Sequence, residues 1–269
     1  MKKVPVLSVD GKKVSEIVLP MQFSEGSRPD LILRAVLSVQ ANQRQPYGGD
    51  PFAGKRTTAK MKTLRRAYGT WAGKGIARVS RIRIGSGHMT GVVRQTPQSV
   101  KGRAANPPKV ERVWTQKINK KERRKAIRAA ISATADAKIV SARGHRIANI
   151  KDLPIIIEDK MQTLKKAKDV QLMLEKIGLV EELSRASEKN VRAGKGKRRG
   201  RKYKGRVGPI IVVAEDKGIV AAAKNIAGVD VLLVNNLNAM ALAPGAKPGR
   251  LAIFSKASIE KLEKEKLFA

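Results

Sequence analysis

Pro209-Ile210-Ile211-Val212-Val213-Ala214 is six residues without a polar side chain, ended by Glu215-Asp216-Lys217-Gly218. A half-exposed strand alternates apolar with polar residues, so a short strand that does not alternate is buried on both faces. Similar dense runs stand at Pro154-Ile155-Ile156-Ile157, stopped by Glu158-Asp159, at Val229–Val234, apolar apart from Asp230, and at Leu251–Phe254. Helical stretches lie between and after them: Ala-rich Gly218–Asn225, and Ser258–Lys266. Strand and helix in alternation predict an α/β fold, a parallel sheet covered by helices on both faces. This pattern does not encode strand order.

Working toward the N-terminus, Leu179–Lys189 predicts a short helix. Thr163–Ile177 predicts a longer one, with Leu164, Ala167, Val170, Leu174 and Ile177 on one stripe and Gly178 as its stop. Lys138–Ala142 is a candidate strand. Asn119-Lys120-Lys121-Glu122 has capping-box spacing and opens a helix through Ala126, Ile127, Ala130, Ile131 and Thr134. At the start, Val4–Val9 and Val14–Leu19 are β-branched alternating runs joined by Asp10-Gly11, a hairpin signal. Ser27-Arg28-Pro29-Asp30 then begins a helix to about Asn42, with Leu31, Ala35, Val36 and Val39 on one face.

The chain has 269 residues, a formal charge of +35 and no cysteine. Without cysteine there is no disulfide scaffold, iron–sulfur cluster, zinc ribbon or thiol nucleophile, and two histidines leave almost nothing for a metal centre. We therefore expect no metal and no cofactor. Only 3% of the residues are aromatic, few for recognition of an apolar ligand. Met1-Lys2-Lys3-Val4-Pro5-Val6-Leu7 begins like a leader, but Asp10-Gly11-Lys12-Lys13 cuts it off and an ordinary first strand is expected. No run approaches the roughly 18 apolar residues of a membrane span, so a soluble chain without a membrane partner is expected. A net charge this large repels itself unless a polyanion neutralises it, and nucleic acid is the economical partner.

The charge is concentrated in two places. Pro51–Val110 holds no acidic residue but Lys55, Arg56, Lys60, Lys62, Arg65, Arg66, Lys74, Arg78, Arg81, Arg83, Arg94, Lys101, Arg103 and Lys109, among eight glycines. Its apolar residues keep neither helical nor strand period, so it should form a long extended basic loop that lacks regular secondary structure and is mobile alone. Residues 45–110 are accordingly read as an arm inserted into RNA, and 1–44 with 111–269 as the globular domain. Within the latter, 189–206 is a basic Gly-rich loop, where Lys195, Lys197, Arg198, Arg199, Arg201, Lys202, Lys204 and Arg206 interleave with glycines that let the backbone approach phosphates. The named cations of both segments, except Lys109, are the candidate RNA contacts. Tyr47, Phe52, Tyr68, Trp71 and Trp114 fall in or beside the arm, where rings can stack on unpaired bases or tie the arm down. Tyr68, Trp71 and His88 are the stacking candidates.

Other motifs fail. Gly49–Lys55 has phosphate-loop spacing, but Arg56 stands where Ser or Thr is required and a helix precedes it. Gly85-x-Gly87-x-x-x-Gly91 is one residue off a dinucleotide fingerprint and lies inside the basic stretch. Glu158, Asp159, Glu215 and Asp216 end strands without a nucleophile–base pair and read as turn and helix-start residues, so no catalytic residue and no enzyme is expected. His145, between Gly144 and Arg146, reads as a phosphate or base contact.

Gly69-Thr-Trp-Ala-Gly-Lys-Gly-Ile-Ala-Arg-Val-Ser-Arg81, then Gly85-Ser-Gly87, then Val100-Lys-Gly-Arg-Ala-Ala-Asn-Pro-Pro-Lys109, closely resemble the archaeal form of the family of the fourth universal protein of the large ribosomal subunit. Gly194-Lys-Gly-Lys-Arg-Arg-Gly-Arg-Lys-Tyr203 and Leu242-Ala-Pro-Gly-Ala-Lys-Pro-Gly-Arg-Leu251 are similar to that family as well. The resemblance implies a structural, cytoplasmic component of the large subunit. It would bind large-subunit ribosomal RNA, support its assembly and contact neighbouring ribosomal proteins, without forming a homo-oligomer. It further implies an arm whose tip, around Trp71 to Arg83, helps line the peptide exit tunnel, with Trp71, Lys74 and Arg78 facing the nascent peptide. The rivals are an architectural DNA-binding protein, in which apolar wedges at a tip are favoured, and an RNA-modifying enzyme, which needs a cofactor loop after a strand.

Overall fold

The computed structural model describes residues 2–83 and 87–268; Gly85 and Ser86 of the quoted motifs lie outside the described residues. The chain divides into two compact units, Met1–Gln43 with Thr115–Ala269, and Arg44–Trp114.

The first unit opens with β1 (Lys3–Leu7) and β2 (Lys13–Val18), an antiparallel pair with Lys3 opposite Val18. Gly11, in the turn, has φ +81°, and a Cβ there would stand 2.8 Å from the Lys176 carbonyl oxygen, so this Asp-Gly turn requires glycine. Helix α1 (Pro29–Asn42) starts with proline in its first turn and Arg28 at the cap. Further on come α2 (Lys120–Ala133), α3 (Ala137–Ala142), β3 (Ile155–Ile157), α4 (Ala167–Lys176) and α5 (Val180–Ser187). The small hairpin β4 (Lys189–Val191) and β5 (Tyr203–Gly205) leads to β6 (Ile210–Val213), α6 (Ile219–Ala223), β7 (Asp230–Leu233), α7 (Ala239–Leu242), β8 (Ala252–Ser255) and α8 (Lys256–Lys264).

Six strands form one sheet in the order β2-β1-β3-β8-β6-β7, parallel except between β1 and β2. Ile155 sits opposite Ile253, and Ile210 lies between Ala252 and Asp230. The unbroken apolar runs now have their explanation. Ile156, Ile210, Val212, Ala252 and Phe254 enter one apolar core with Ile32 and Val36 of α1, Ala126 and Ile131 of α2 and Ile259 of α8. Their neighbours Ile155, Ile157, Ile211, Val213 and Ile253 enter a second core with Val140, Val170 and Leu174, and Ile219 and Ala223 of α6. Successive side chains alternate across the sheet and both faces of its central strands are covered, so Ile155–Ile157, Ile210–Val213 and Ala252–Phe254 carry no polar side chain. Each fully buried aliphatic side chain stabilises by roughly 1.5–3 kcal/mol relative to exposure.

Three local expectations are corrected. Lys138–Ala142 is not a strand but most of α3, because Asp136 caps it by accepting from the Lys138 N–H and only Val140 is fully buried in the core. The capping box does not close: the Asn119 side chain makes no cap bond, and Glu122 accepts from Arg34 at 3.1 Å, joining α2 to α1. Helix α4 begins at Ala167 and not at Thr163, because Asp159–Thr163 is a 3-10 turn in which Gln162 bonds the Asp159 carboxylate and the Glu215 N–H. Among the described residues no helix is long and apolar enough to cross a membrane.

In the second unit, the regular structure among the described residues is one 3-10 turn, Gly87–Met89, with isolated antiparallel bridges pairing Arg81 with Lys60 and with Val93. Ala59, Ala72 and Ile82 are buried within it. So small an apolar interior accords with the absence of a hydrophobic period.

Candidate nucleic-acid interface

Strands β4 and β5 pair antiparallel, Lys189 opposite Gly205 and Val191 opposite Tyr203, and both are exposed along their length. The segment read as a basic loop is therefore a hairpin whose end carries the cations. The Arg192 N–H donates to the Lys202 carbonyl at 2.8 Å and the Arg201 N–H to Gly196 at 3.1 Å, which closes the end around the 3-10 turn Lys195–Arg199. Gly194 and Gly200 both have φ 79°, which side chains resist, so the glycines shape this end as well as clearing space. Lys195, Lys197, Arg198, Arg199, Arg201, Lys202 and Lys204 are exposed. Arg206 instead pairs with Glu188 at 2.6 Å. Arg192, which the sequence reading passed over, donates its Nε to the Arg201 carbonyl at 3.2 Å and braces the hairpin.

In the second unit the cations divide by what they touch. Arg81 donates to the Gly91 and Ala77 carbonyls, at 2.9 and 3.2 Å, and its guanidinium lies over Trp71. Lys62 and Arg83 both donate to the Tyr68 carbonyl, Arg94 donates to Val100, and Arg56 pairs with Asp50 at 2.5 Å. Arg81, Lys62, Arg83 and Arg94 thus hold the segment's own backbone, and Arg56 its carboxylate. Lys55, Lys60, Arg65, Arg66, Lys74, Arg78 and Lys101 are exposed, as is His88. Arg103 is half-buried beside a cavity of about 910 Å³ that Lys55 and Lys109 also line. Apart from Arg56–Asp50, no ion pair occurs in this unit among the described residues, so its positive charge is almost uncompensated.

The rings differ too. Tyr68 is 92% exposed, an open platform. Trp71 is half-buried against Gly91, with the Lys74 ammonium 5.2 Å from its centroid. Tyr47 stacks on Trp114 at 5.1 Å, and Arg44 and Arg112 lie over the same indole at 4.2 and 4.6 Å. Such cation–π contacts contribute about 0.5–1 kcal/mol each when exposed.

His145 departs from its sequence reading. It is buried, with Nδ1 2.6 Å from Glu182 Oε1, because the chain after α3 folds back under α5. Arg185 makes two further bonds to Glu182, and the Arg146 N–H a third. Burial pushes the Glu182 carboxyl up, but the bonds from Arg185, His145 and the Arg146 N–H outweigh it and hold the pKa at about 2. The acidic residues at the strand ends act as turn and cap groups: Asp216 accepts from the Gly218 and Val220 N–H groups, and Asp159 from Ala257.

The family described as the ribosomal protein L4/L1 family matches residues 17–265. The chain is 48% identical over 269 residues to the large ribosomal subunit protein uL4 of Nanoarchaeum equitans, with 99% of each chain covered. It is 45% identical to that of Methanosphaera stadtmanae, covering 97% of this chain and 96% of the relative, and 43% identical to that of Methanopyrus kandleri, covering 97% and 98%.

Proposed function

From the premise that this chain belongs to the ribosomal protein L4/L1 family, we propose that its two basic segments are the places where ribosomal RNA holds it in the large subunit. The protein is a structural component of the cytoplasmic large ribosomal subunit, not an enzyme, and its partners are ribosomal RNA and neighbouring ribosomal proteins. Residues 45–110 serve as an extended arm among RNA helices, and 189–206 as a second contact on the globular domain, 1–44 with 111–269.

The observation that carries this reading is the surplus of exposed cations without carboxylate partners, on backbones that glycine keeps slim: Lys55, Lys60, Arg65, Arg66, Lys74, Arg78 and Lys101 in one segment, Lys195–Lys204 in the other. Each cation that meets a phosphate releases counterions, and RNA offsets the ordering entropy that the arm cannot offset by burial. Arg81, Arg83 and Arg94 shape the arm from inside and reach phosphate with their remaining donors. Tyr68 takes a base by stacking, worth about 1–3 kcal/mol, and His88 is a second such contact. The tip, Trp71 to Arg83, faces the peptide exit tunnel, where Lys74 and Arg78 meet the nascent peptide and Trp71 anchors the turn beneath them. One copy enters each particle without self-association. Duplex DNA as the partner is disfavoured, because Lys74, Ile76 and Arg78 at the tip make a mixed surface and not an apolar wedge.

Crosslinking in intact particles, with sequencing of the attached RNA, tests this. Large-subunit RNA should attach within 55–103 and 195–206. Attachment confined to other surfaces would overturn the assignment of the two segments.

A further inference from the structure

Beneath the β4–β5 hairpin lies a half-enclosed cavity of about 350 Å³, lined by Arg143, His145, Arg185, Lys204, Arg206 and Lys247 among others. These residues come from four stretches far apart in sequence: the end of α3, helix α5, the hairpin's last strand and the segment before β8. Five are cations. The facing carboxylates are Glu182, which His145 and Arg185 share, and Glu188, which Arg206 holds. The cavity therefore keeps an excess of positive charge in a place that water only partly screens.

Not every cation is free to act. Arg143 donates to the carbonyls of Lys247 and Pro244, and Arg185 to Glu182 and the Val207 carbonyl. Lys204 and Lys247 are exposed, and neither is in an ion pair among the described residues. One polar atom at the site is unmatched: His145 Nε2 is buried with no hydrogen-bond partner, in a side chain 2% exposed whose Nδ1 is committed to Glu182. Buried polar atoms are normally bonded, and an orphan beside a cationic cavity points to a group that completes it. Burial first, and then the charges of Arg250 and Arg185, lowers Arg143 to about 10, the response of a cation held partly out of water with other cations near it.

We infer that this cavity is a seat for a single phosphate group, gripped by Lys204 and Lys247 at the mouth, flanked by Arg143, Arg185 and Arg206, and contacted by His145 Nε2 when the ring carries two protons. The proposal rests on the RNA-binding reading for its natural ligand, a backbone phosphate entering at the foot of the hairpin. The chemistry itself is that of phosphate, whether from RNA or free in solution. It adds to the interface a half-enclosed seat lined from four stretches of the chain, in contrast to the fully solvated cations at the hairpin's end.

The chain's two histidines make the test direct. Full-length protein with 15N-labelled histidine is titrated with inorganic phosphate at constant pH and ionic strength, chloride being the balancing salt. The expected result is a saturable shift of the His145 ring nitrogens. Lys204→Gln with Lys247→Gln should weaken phosphate affinity about tenfold or more, the size expected for losing charge-assisted bonds. Lys261→Gln with Lys264→Gln in α8 should leave it unchanged. No saturable shift in the unaltered protein, or equal weakening by both pairs, overturns the proposal. A fragment of large-subunit RNA is then added: displacement of phosphate from His145 identifies a backbone phosphate as the occupant, whereas undisturbed phosphate on an RNA-bound chain identifies a free anion. RNA binding with no phosphate response at His145 removes this seat and leaves the role of the two basic segments standing.

Discussion

Arg250, buried at the base of β6 and β7, donates Nη2 to the Asp230 carboxylate at 2.5 Å, although the side chain of Asp230 is 63% exposed and that of Arg250 only 2%. The same guanidinium donates to the carbonyls of Gly208, Ala241 and Gly228. One side chain thus clips the entry to β6, the start of β7 and helix α7. Burial lowers the Arg250 pKa, and the Asp230 charge and hydrogen bond offset part of that.

The pair is asymmetric, so its two halves should respond differently to substitution. Arg250→Met removes the guanidinium from the Gly208 and Ala241 carbonyls, while the Gly228 carbonyl keeps the Gly208 N–H, and should cost about 3–5 kcal/mol, as for one partner lost from a buried ionic network. Asp230→Asn keeps an exposed acceptor and should cost less than about 1 kcal/mol. Urea unfolding of both variants checks this. Comparable losses would show that the carboxylate, not the carbonyls, needs the arginine.

Glu182 sets an acid limit. Its folded pKa of about 2 lies below the ordinary 4.5, so the stability it supplies is fully present above pH 4.5 and is lost as pH falls toward 2. Glu182→Gln should flatten the stability profile across that window and lower stability at neutral pH. A stability-against-pH series for the two proteins reads this directly, and parallel profiles would contradict the assignment.

The hairpin's contribution should appear in salt dependence. Lys197→Gln, Arg198→Gln and Arg199→Gln together should lower the slope of log affinity against log salt by about 2–3, weakening all RNA sequences alike. Loss of discrimination between sequences, with the slope intact, would instead make these residues base readers.

Neither apolar core includes a residue of 44–114. Deletion of Pro51–Val110 should therefore leave a cooperatively folding protein that still binds ribosomal RNA weakly through Lys195–Arg206. In the free, complete chain, a protease should cut between about Gly54 and Lys109, where the hydrogen bonding is local and the buried apolar surface small. RNA should suppress the cuts. Failure of the deletion to fold, or protection without RNA, would make the arm part of the core.

Much of this was legible from residues alone. Runs such as Ile210–Val213 announce burial on both faces because they offer no polar side chain to water, and Asp10-Gly11 announces its turn because few other residues adopt that backbone. The acid-free, glycine-broken stretch declares that it lacks an apolar core of normal size. Periodicity records how much of a segment is buried, not by what, so the order β2-β1-β3-β8-β6-β7 awaited the assembled sheet. It likewise misread Lys138–Ala142, where the Asp136 cap decided for helix. A cation's letter does not say whether it meets solvent, a carbonyl or a carboxylate. Only the tertiary structure separates Arg199, free at the hairpin's end, from Arg81 and Arg250, which hold backbone, and turns His145 from a surface contact into the buried partner of Glu182. Local sequence determines composition and burial preference, whereas the partners of a buried polar group are brought from distant stretches by the packing of the sheet.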